Sequence, residues 1–392
     1  MSPRAWLCGG EVNDRPRSRS FTCHRGVVKG TMLDHTAPDS LDVARPNGPA
    51  PTILVVTDAW HPQLNGVVHT LEELARSMAE EGIEVAFLTP QGFTTVPLPS
   101  YPEIRLAIAS RRRVLVEIER VAPDYIHIAT EGPLGMAARR ACLERGLPFT
   151  TSYHTRFPEF ISARLPVPES VSYWWLRRFH NAGNGMMVAT KSLGAEMAGR
   201  GFMRIKRWSR GVDTKLFDPA KRRDLGLPQP VFLNVGRVAV EKNLPAFLGL
   251  DLPGSKVVVG DGPDLATLRQ RYPDAHFLGR KTGEELAGLY ASADVFVFPS
   301  RTDTFGNVML EALASGVPVA AFPVAAPRDV LGEGGALSQD LRAAALAALD
   351  IPRELARSRA MAYSWRACAR EFLGNLTRVP CDAFEARRLS LR

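Results

Sequence analysis

From Thr52 onward, short apolar runs alternate with stretches of helical period. The first run covers 52–57 and a helical pattern follows near 70–81; further runs lie at 85–88, 104–108, 125–128 and 149–153. Most are continuously apolar rather than alternating, which is the pattern of strands covered on both faces and predicts a parallel sheet between helix layers. A second series covers 231–235, 256–259, 275–278, 295–298 and 317–322, again with helices between the runs. The turn-rich, charged stretch 218–230 reads as the linker. The predicted class is therefore α/β, with two doubly wound Rossmann-like units at 52–217 and 231–363 facing each other across a cleft. Ligands of such sheets bind beyond the carboxyl ends of the strands. A last helical period, with Trp365, Cys368, Ala369 and Phe372 on one side, occupies the segment 364–378.

The length of 392 residues suits two such units. With 45% hydrophobic and 23% charged residues, the composition excludes disordered, collagen-like and disulfide-scaffold classes. No apolar run approaches the roughly 18 to 20 residues that span a bilayer. Cys8, Cys23, Cys142, Cys368 and Cys381 form no C-x-x-C pair, so a reducing cytoplasm is the plain expectation. Residues 1–51 show no apolar period and are expected to be disordered. They read as a basic targeting arm, or, more plainly, as a spacer or a stretch preceding a true start at Met32. The net charge of +8 fits nucleic acid, anionic membranes or phosphorylated ligands, and charge alone does not choose among them.

Candidate chemistry sits in loops after strands. After the first run, Asn65-Gly66-Val67-Val68 opens a helix; Gly66 lets the backbone approach an anion, although a simple Asn-Gly turn has the same signature. After 231–235, Arg237 and Lys242 supply a fork and a point charge suited to a diphosphate, and a solvated basic turn fits equally well. After 295–298 comes a turn carrying Asp303 and Gly306, then a helix holding Glu311. The backbone N–H groups of Phe305, Gly306, Asn307 and Val308 should face a ligand at the positive helix end. Carboxylates there repel a diphosphate unless they accept hydrogen bonds from sugar hydroxyls, which points to a sugar nucleotide.

On these pieces, together with Tyr153-His154-Thr155, Arg210-Gly211-Val212-Asp213, Gly236-Arg237, Gly260-Asp261-Gly262-Pro263, Leu278-Gly279 and 293–300, the chain resembles retaining glycosyltransferases of family 4 with the GT-B fold. The pieces run in family order from about residue 52 to 376. The resemblance implies that Arg237 and Lys242 hold the donor diphosphate and that Gly66 approaches the same phosphates. Glu311 would bind the ribose hydroxyls, and Asp303 with the amides after it would orient the transferred sugar. Arg280 would lie near the base and His154 would face the sugar, so Arg237, Lys242, His154 and Asp303 are the catalytic candidates. The family usually has Glu where this chain has Asp303, a reach one methylene shorter. The segment 364–378 would cross back onto the first unit, and donor binding would close the cleft.

The reaction so implied is retaining hexosyl transfer from a UDP- or GDP-linked sugar to a lipid or glycan acceptor. No D-x-D stands near the cleft loops, so no metal and no other cofactor is expected. Glu131 reads either as an acceptor contact or as an acid at the start of a helix. The aromatic and basic run 173–180 reads as an interfacial amphipathic helix for an anionic membrane surface, or as tryptophans packed inside the first unit, the preferred of the two. The short connection 244–256 looks like bacterial members that glycosylate diacylglycerol or related lipids. Localisation is expected to be cytoplasmic, peripheral on the inner membrane face. The rival readings are another enzyme on the same fold, either a sugar-nucleotide epimerase or a mannosyltransferase acting on polysaccharide intermediates, and a degenerate sugar-nucleotide binder; nucleic-acid binding is least favoured, since no basic-aromatic platform is recognisable.

Overall fold

In the computed structural model, which describes residues 50–384 apart from 64, 99, 100 and 163–165, the apolar runs of the first half become β1 (Thr52–Val56), β2 (Glu84–Leu88), β5 (Tyr125–Ile128) and β6 (Thr150–Ser152). Residues 1–49 of the expected disordered extension lie outside the described residues, as do the side chains at 98, 101–104 and 160. Two further strands, β7 (Gly185–Val188) and β8 (Ile205–Arg207), complete a parallel sheet ordered β2-β1-β5-β6-β7-β8. The second half contains β9 (Val231–Val235), β10 (Ser255–Val259), β11 (His276–Phe277), β12 (Val295–Phe298), β13 (Val319–Ala321) and β14 (Gly335–Leu337). They form a second parallel sheet ordered β11-β10-β9-β12-β13-β14. The strand order reverses at β1 in one sheet and at β9 in the other, so each half has a switch-point crevice next to its first strand.

The run 104–108 is the exception. It falls in β4 (Tyr101–Ala107), which pairs antiparallel with β3 (Thr95–Leu98) in a separate ribbon. Arg105 interrupts the apolar residues and its Nε donates to Thr95 Oγ1 at 2.7 Å, while Ile108 is 62% exposed. One polar position is enough to turn a buried strand into a surface one.

Apolar residues from both faces of each sheet make the cores. Ile53 and Val55 of β1 pack with Leu71, Leu74 and Met78 of the Gly66–Glu80 helix, and Leu233, Phe296 and Val319 lie among residues of the Asn307–Ala314 helix. The first core also takes in a visitor from the far end of the chain. The Trp365–Asn375 helix, capped by Ser364 accepting from the Ala367 N–H, buries Trp365, Cys368, Ala369 and Phe372 against β1 and Trp208. Their spacing of i, i+3, i+4 and i+7 puts all four on one face. Burying Phe372 alone stabilises this docking by roughly 1.5–3 kcal/mol.

The chain passes from one half to the other near Ser209–Gly211, before the stretch 218–230. Val212 and Phe217 are already buried in the second core, and Leu225 and Leu227 of the turn-rich segment pack against it. At the crossing, the outgoing chain meets the returning one: Val212 N–H donates to Tyr363 O at 3.1 Å. A Cβ on Gly211 would stand 2.4 Å from the Trp365 backbone nitrogen, so only glycine fits there. Ser192 of the first half adds a second tie, donating from N–H and Oγ to the Asp329 carboxylate, both at 2.7 Å.

The Glu169–His180 helix buries Tyr173, Leu176, Phe179 and His180. That choice of face turns Val171, Trp174 and Trp175 outward, with exposures of 54%, 54% and 39%. The preferred expectation that both tryptophans pack inside the first unit is therefore not met. No helix among the described residues is long and apolar enough to cross a membrane.

Candidate active site

The loops after β9 and β12 flank the switch point of the second sheet and are stitched together. Asn234 donates from Nδ2 to Val297 O at 2.9 Å between the strands, and Asn243 donates to Pro299 O at 3.0 Å between the loops. Ser300 Oγ adds a bond to Glu241 O at 3.3 Å. This frame brings Lys242 and Asp303, 61 positions apart in sequence, to an Nζ–Oδ1 distance of 2.5 Å. The other carboxylate oxygen, Asp303 Oδ2, is buried and has no hydrogen-bond partner. Half-buried Arg237 leaves the same loop as Lys242, beside Gly236, whose missing side chain faces open space.

Two helix N-termini meet at this place, one from each half. Gly306, in the left-handed region at φ 80°, starts the Asn307–Ala314 helix, and no side chain caps that end. Across the cleft, Asn65 Oδ1 caps the Gly66–Glu80 helix by accepting from Val67 and Val68 at 3.0 and 3.1 Å. Asn307 Nδ2 donates to Thr70 Oγ1 at 3.3 Å, and a Cβ on Gly66 would lie 3.8 Å from the same nitrogen. Two positive dipole ends thus converge where an anion is favoured.

One turn into the Asn307–Ala314 helix, Glu311 accepts from Tyr290 OH at 2.8 Å. Burial raises its pKa, against the lowering effect of the tyrosine bond and of nearby His69. Glu311 and Asn307 form one wall of a cavity of about 200 Å³ whose other wall includes His69, Arg76 and Asp213.

The first half contributes His154, just beyond β6. Its carbonyl accepts from Thr304 Oγ1 at 2.7 Å, which ties it to the residue after Asp303. Its Nδ1 lies 3.1 Å from an Arg210 guanidinium nitrogen, and its Nε2 is buried without a partner. Burial foremost, and then the Arg210 charge, hold the imidazole well below its ordinary pKa. Since the arginine can only donate, Nδ1 accepts and Nε2 carries the proton.

Contacts therefore join Lys242 to Asp303, the Asp303 loop to His154 through Thr304, and the helix of Asn307 and Glu311 to the helix opened by Gly66 through Thr70, while Arg237 shares the loop of Lys242. Phe305 packs in the core against Tyr363 and Val308 packs on the same core, so both offer only backbone groups to the cleft. Arg280 is exposed beyond the edge strand β11, and no described contact links its side chain to the others. Glu131 is buried and bonded to His180 Nε2 at 3.1 Å, an internal partner rather than an acceptor-facing acid. Tyr290, Thr70 and His69 complete the site without having been singled out in the sequence. Arg210 belongs to the quoted Arg210-Gly211-Val212-Asp213 piece, which was the one available signal. Among the described residues no group of three or more His, Cys, Asp or Glu is placed to hold a metal ion.

Two Rossmann-like halves whose strand ends face one cleft define the GT-B architecture. Residues 64–216 match the family described as Glycosyltransferase Family 4, and residues 229–351 match Glycosyl transferases group 1. A GDP-mannose-dependent alpha-mannosyltransferase of Mycobacterium tuberculosis is 32% identical over 307 residues, covering 71% of this chain and 81% of that protein. A protein of the same description from Corynebacterium glutamicum is 30% identical, covering 72% and 75%. The sucrose-phosphate synthase of Thermosynechococcus elongatus superposes with a TM-score of 0.66 at 20% identity, covering 83% of this chain and 98% of that one. The chain belongs to the group 1, family 4 glycosyltransferases, and it is a glycosyltransferase.

Proposed function

We propose that the enzyme transfers a hexose, with retention of anomeric configuration and without a metal, from a nucleoside diphosphate sugar to a lipid or glycan acceptor. The observation that carries this reading is a matched pair of unsatisfied atoms. Asp303 Oδ2 is a buried acceptor without a donor, and His154 Nε2–H is a buried donor without an acceptor. They come from opposite halves and are joined through Thr304 and the His154 carbonyl. Buried polar groups are left unmade at a free energy cost of about 1–3 kcal/mol each, and a sugar bearing several hydroxyls satisfies both at once.

Lys242, released from Asp303, and Arg237 neutralise the diphosphate together with the two helix N-termini. This is electrostatic stabilisation of the charge that develops as the sugar leaves. The bond from the anomeric carbon to the phosphate oxygen breaks, and the acceptor oxygen bonds that carbon from the same face. The acceptor proton passes to the departing phosphate. Glu311, with its protein donor Tyr290 on one oxygen, takes the ribose hydroxyls. GDP-mannose is the first donor to test, because GDP-mannose-dependent enzymes stand among the relatives at 30% identity or more.

The outward stripe Val171, Trp174 and Trp175, with Arg178 beside it, fits an anionic membrane surface that presents the acceptor. An alpha-monoglucosyldiacylglycerol synthase of Streptococcus pneumoniae, 26% identical, is a relative with a lipid product in its name. The decisive experiment incubates the enzyme with GDP-mannose and, separately, UDP-glucose, with and without bacterial lipid extract, in the presence of EDTA. Expected are release of nucleoside diphosphate only when acceptor is present, and a product with the donor's anomeric configuration. Acceptor-independent turnover, inversion, or loss of activity that magnesium restores would each overturn the corresponding part of the proposal. Nucleotide binding without any turnover would favour the degenerate binder.

A further inference from the structure

Arg210 is a buried cation without a buried anion. It is 5% exposed, and among the described residues no carboxylate pairs with it. One terminal nitrogen donates to the carbonyls of Trp208 and Ser209 at 2.7 and 2.8 Å, and the guanidinium lies 4.3 Å from the Trp208 ring centroid. The other terminal nitrogen reaches His154 Nδ1 at 3.1 Å. Placing an arginine here costs desolvation that a neutral donor would avoid, and burial brings its pKa down to about 10. A structural role of bonding two carbonyls needs no charge. The contact with His154 is where the charge has a consequence, because a permanent donor and cation fixes both tautomer and protonation state of an imidazole.

We propose that Arg210 is a positioning residue that fixes the tautomer of His154, its guanidinium occupying Nδ1 and leaving the proton on Nε2, so that the unpartnered Nε2–H is always presented as a donor. The surroundings leave the imidazole no route to protonate. Behind it stand His127 of β5, bonded to Thr150 Oγ1 and Ser152 Oγ, and His180, which is engaged by Thr151 and Glu131. The Trp208 ring meets the His154 ring edge-on at 5.6 Å. Among the described residues the only charge bonded to the ring is Arg210, and it is positive. A histidine acting as a proton-transfer base would need the opposite arrangement, with a carboxylate on Nδ1. This geometry makes His154 a fixed hydrogen-bond donor to a neutral oxygen, such as a sugar hydroxyl.

The inference rests on the proposed function only in naming the hydroxyl as the recipient, and its test separates the two. Histidine labelled with ¹⁵N is incorporated into the full chain, and the His154 signals are assigned by their disappearance in His154→Ala. An unprotonated Nδ1 and a protonated Nε2, unchanged between about pH 5 and 8 where a free imidazole titrates, are expected. A proton on Nδ1 overturns the proposal, and the ring itself is read in the wild-type chain, His154→Ala serving only for assignment. Arg210→Met is then compared with Arg210→Lys, which keeps the charge. In Arg210→Met a proton on Nδ1 is expected to appear, since no donor then excludes that tautomer, and kcat to fall by up to about 100-fold. Arg210→Lys, which can still donate to Nδ1, should keep the proton on Nε2 at a reduced rate. A loss of rate with the proton still on Nε2 in Arg210→Met would mean a purely structural arginine. A shifted tautomer in Arg210→Met with unchanged kcat would leave the positioning role standing and sink the assignment of His154 to the sugar.

Discussion

Replacing Lys242 by methionine separates what the Lys242–Asp303 pair does for the fold from what Lys242 does for the reaction. In the free enzyme the two groups are 2.5 Å apart, with side-chain exposures of 29% and 21%. Such a partly screened pair contributes at most about 1 kcal/mol to stability. Methionine keeps the length of the stem and its packing, so Tm should move by no more than about 4 °C. Catalysis sets a different scale. Lys242 belongs to the loop that flanks the switch point, next to two helix N-termini, and the charge on the departing diphosphate grows as the glycosidic bond breaks. One preorganised donor to such a charge contributes about 2.7–4 kcal/mol, or about 10²–10³ in kcat. The interaction strengthens towards the transition state, so donor affinity should weaken far less than kcat falls.

The assay follows nucleoside diphosphate release at saturating acceptor, with donor affinity from calorimetry and Tm from scanning calorimetry on the same preparation. A kcat near wild type would refute the placement of Lys242 at the leaving group. A loss of kcat matched by collapse of Tm would show that the pair is structural. Equal losses in affinity and in kcat/KM, with kcat itself unchanged, would mean that Lys242 binds ground state and transition state alike.

Gly211→Ala should destabilise the chain by about 1–3 kcal/mol, since the new methyl group must displace the Trp365 backbone; an unchanged urea midpoint would mean that the crossing is looser than its geometry. Burial chiefly, then Arg210 and His180, hold His127 at a pKa of about 3 in the folded chain. The unfolded chain takes up that proton near pH 6.5, so stability is intact above about 6.5 and falls by up to about 1.4 kcal/mol per pH unit as pH drops towards 3. His127→Gln should flatten the fall of Tm between about pH 7 and 5, and an identical slope would assign it to other groups. Asp329→Ala removes the two bonds to Ser192. Small-angle scattering should then show a larger radius of gyration without donor and recovery with it, whereas superimposable profiles would exclude these bonds as a restraint on the cleft. Trp174→Ser with Trp175→Ser should abolish co-sedimentation with phosphatidylglycerol vesicles at unchanged Tm. Undiminished binding would move the docking face elsewhere.

The two-sheet architecture was legible because a doubly covered parallel strand must be apolar along its whole length, and that property survives in a bare sequence. It was illegible where strands are poor in β-branched and aromatic residues. β7 and β14 carry only Gly185-Met186-Met187-Val188 and Gly335-Ala336-Leu337, and their neighbours in the sheet, not their own composition, make them strands. The outward turn of Trp174 and Trp175 escaped for a related reason. The run 173–180 is apolar on nearly every side, and only the packed position of Tyr173, Leu176 and Phe179 decides which face remains outside.

The site divides along the same line. Residues that act from a strand end can be found by counting from the strand, which is how Gly66, Arg237, Lys242, Asp303 and Glu311 were singled out. Residues that act by touching those residues cannot. The bonds that complete the cleft join Tyr290 to Glu311, His154 to Arg210, His154 to Thr304 and Thr70 to Asn307 across 21, 56, 150 and 237 positions. None of these separations has a local period. The functional content lies in what such contacts leave over: Lys242 takes one oxygen of Asp303 and leaves the other bare, and Arg210 takes one nitrogen of His154 and leaves the other bare. On the proposed function, an acceptor and a donor so prepared, on loops that the Thr304–His154 bond ties together, suit a ligand with neutral hydroxyls on one side and a diphosphate on the other. A simple phosphate would leave the Asp303 oxygen unsatisfied and repelled, and a plain sugar would leave the cations without an anion, so the complementarity is to the two joined together.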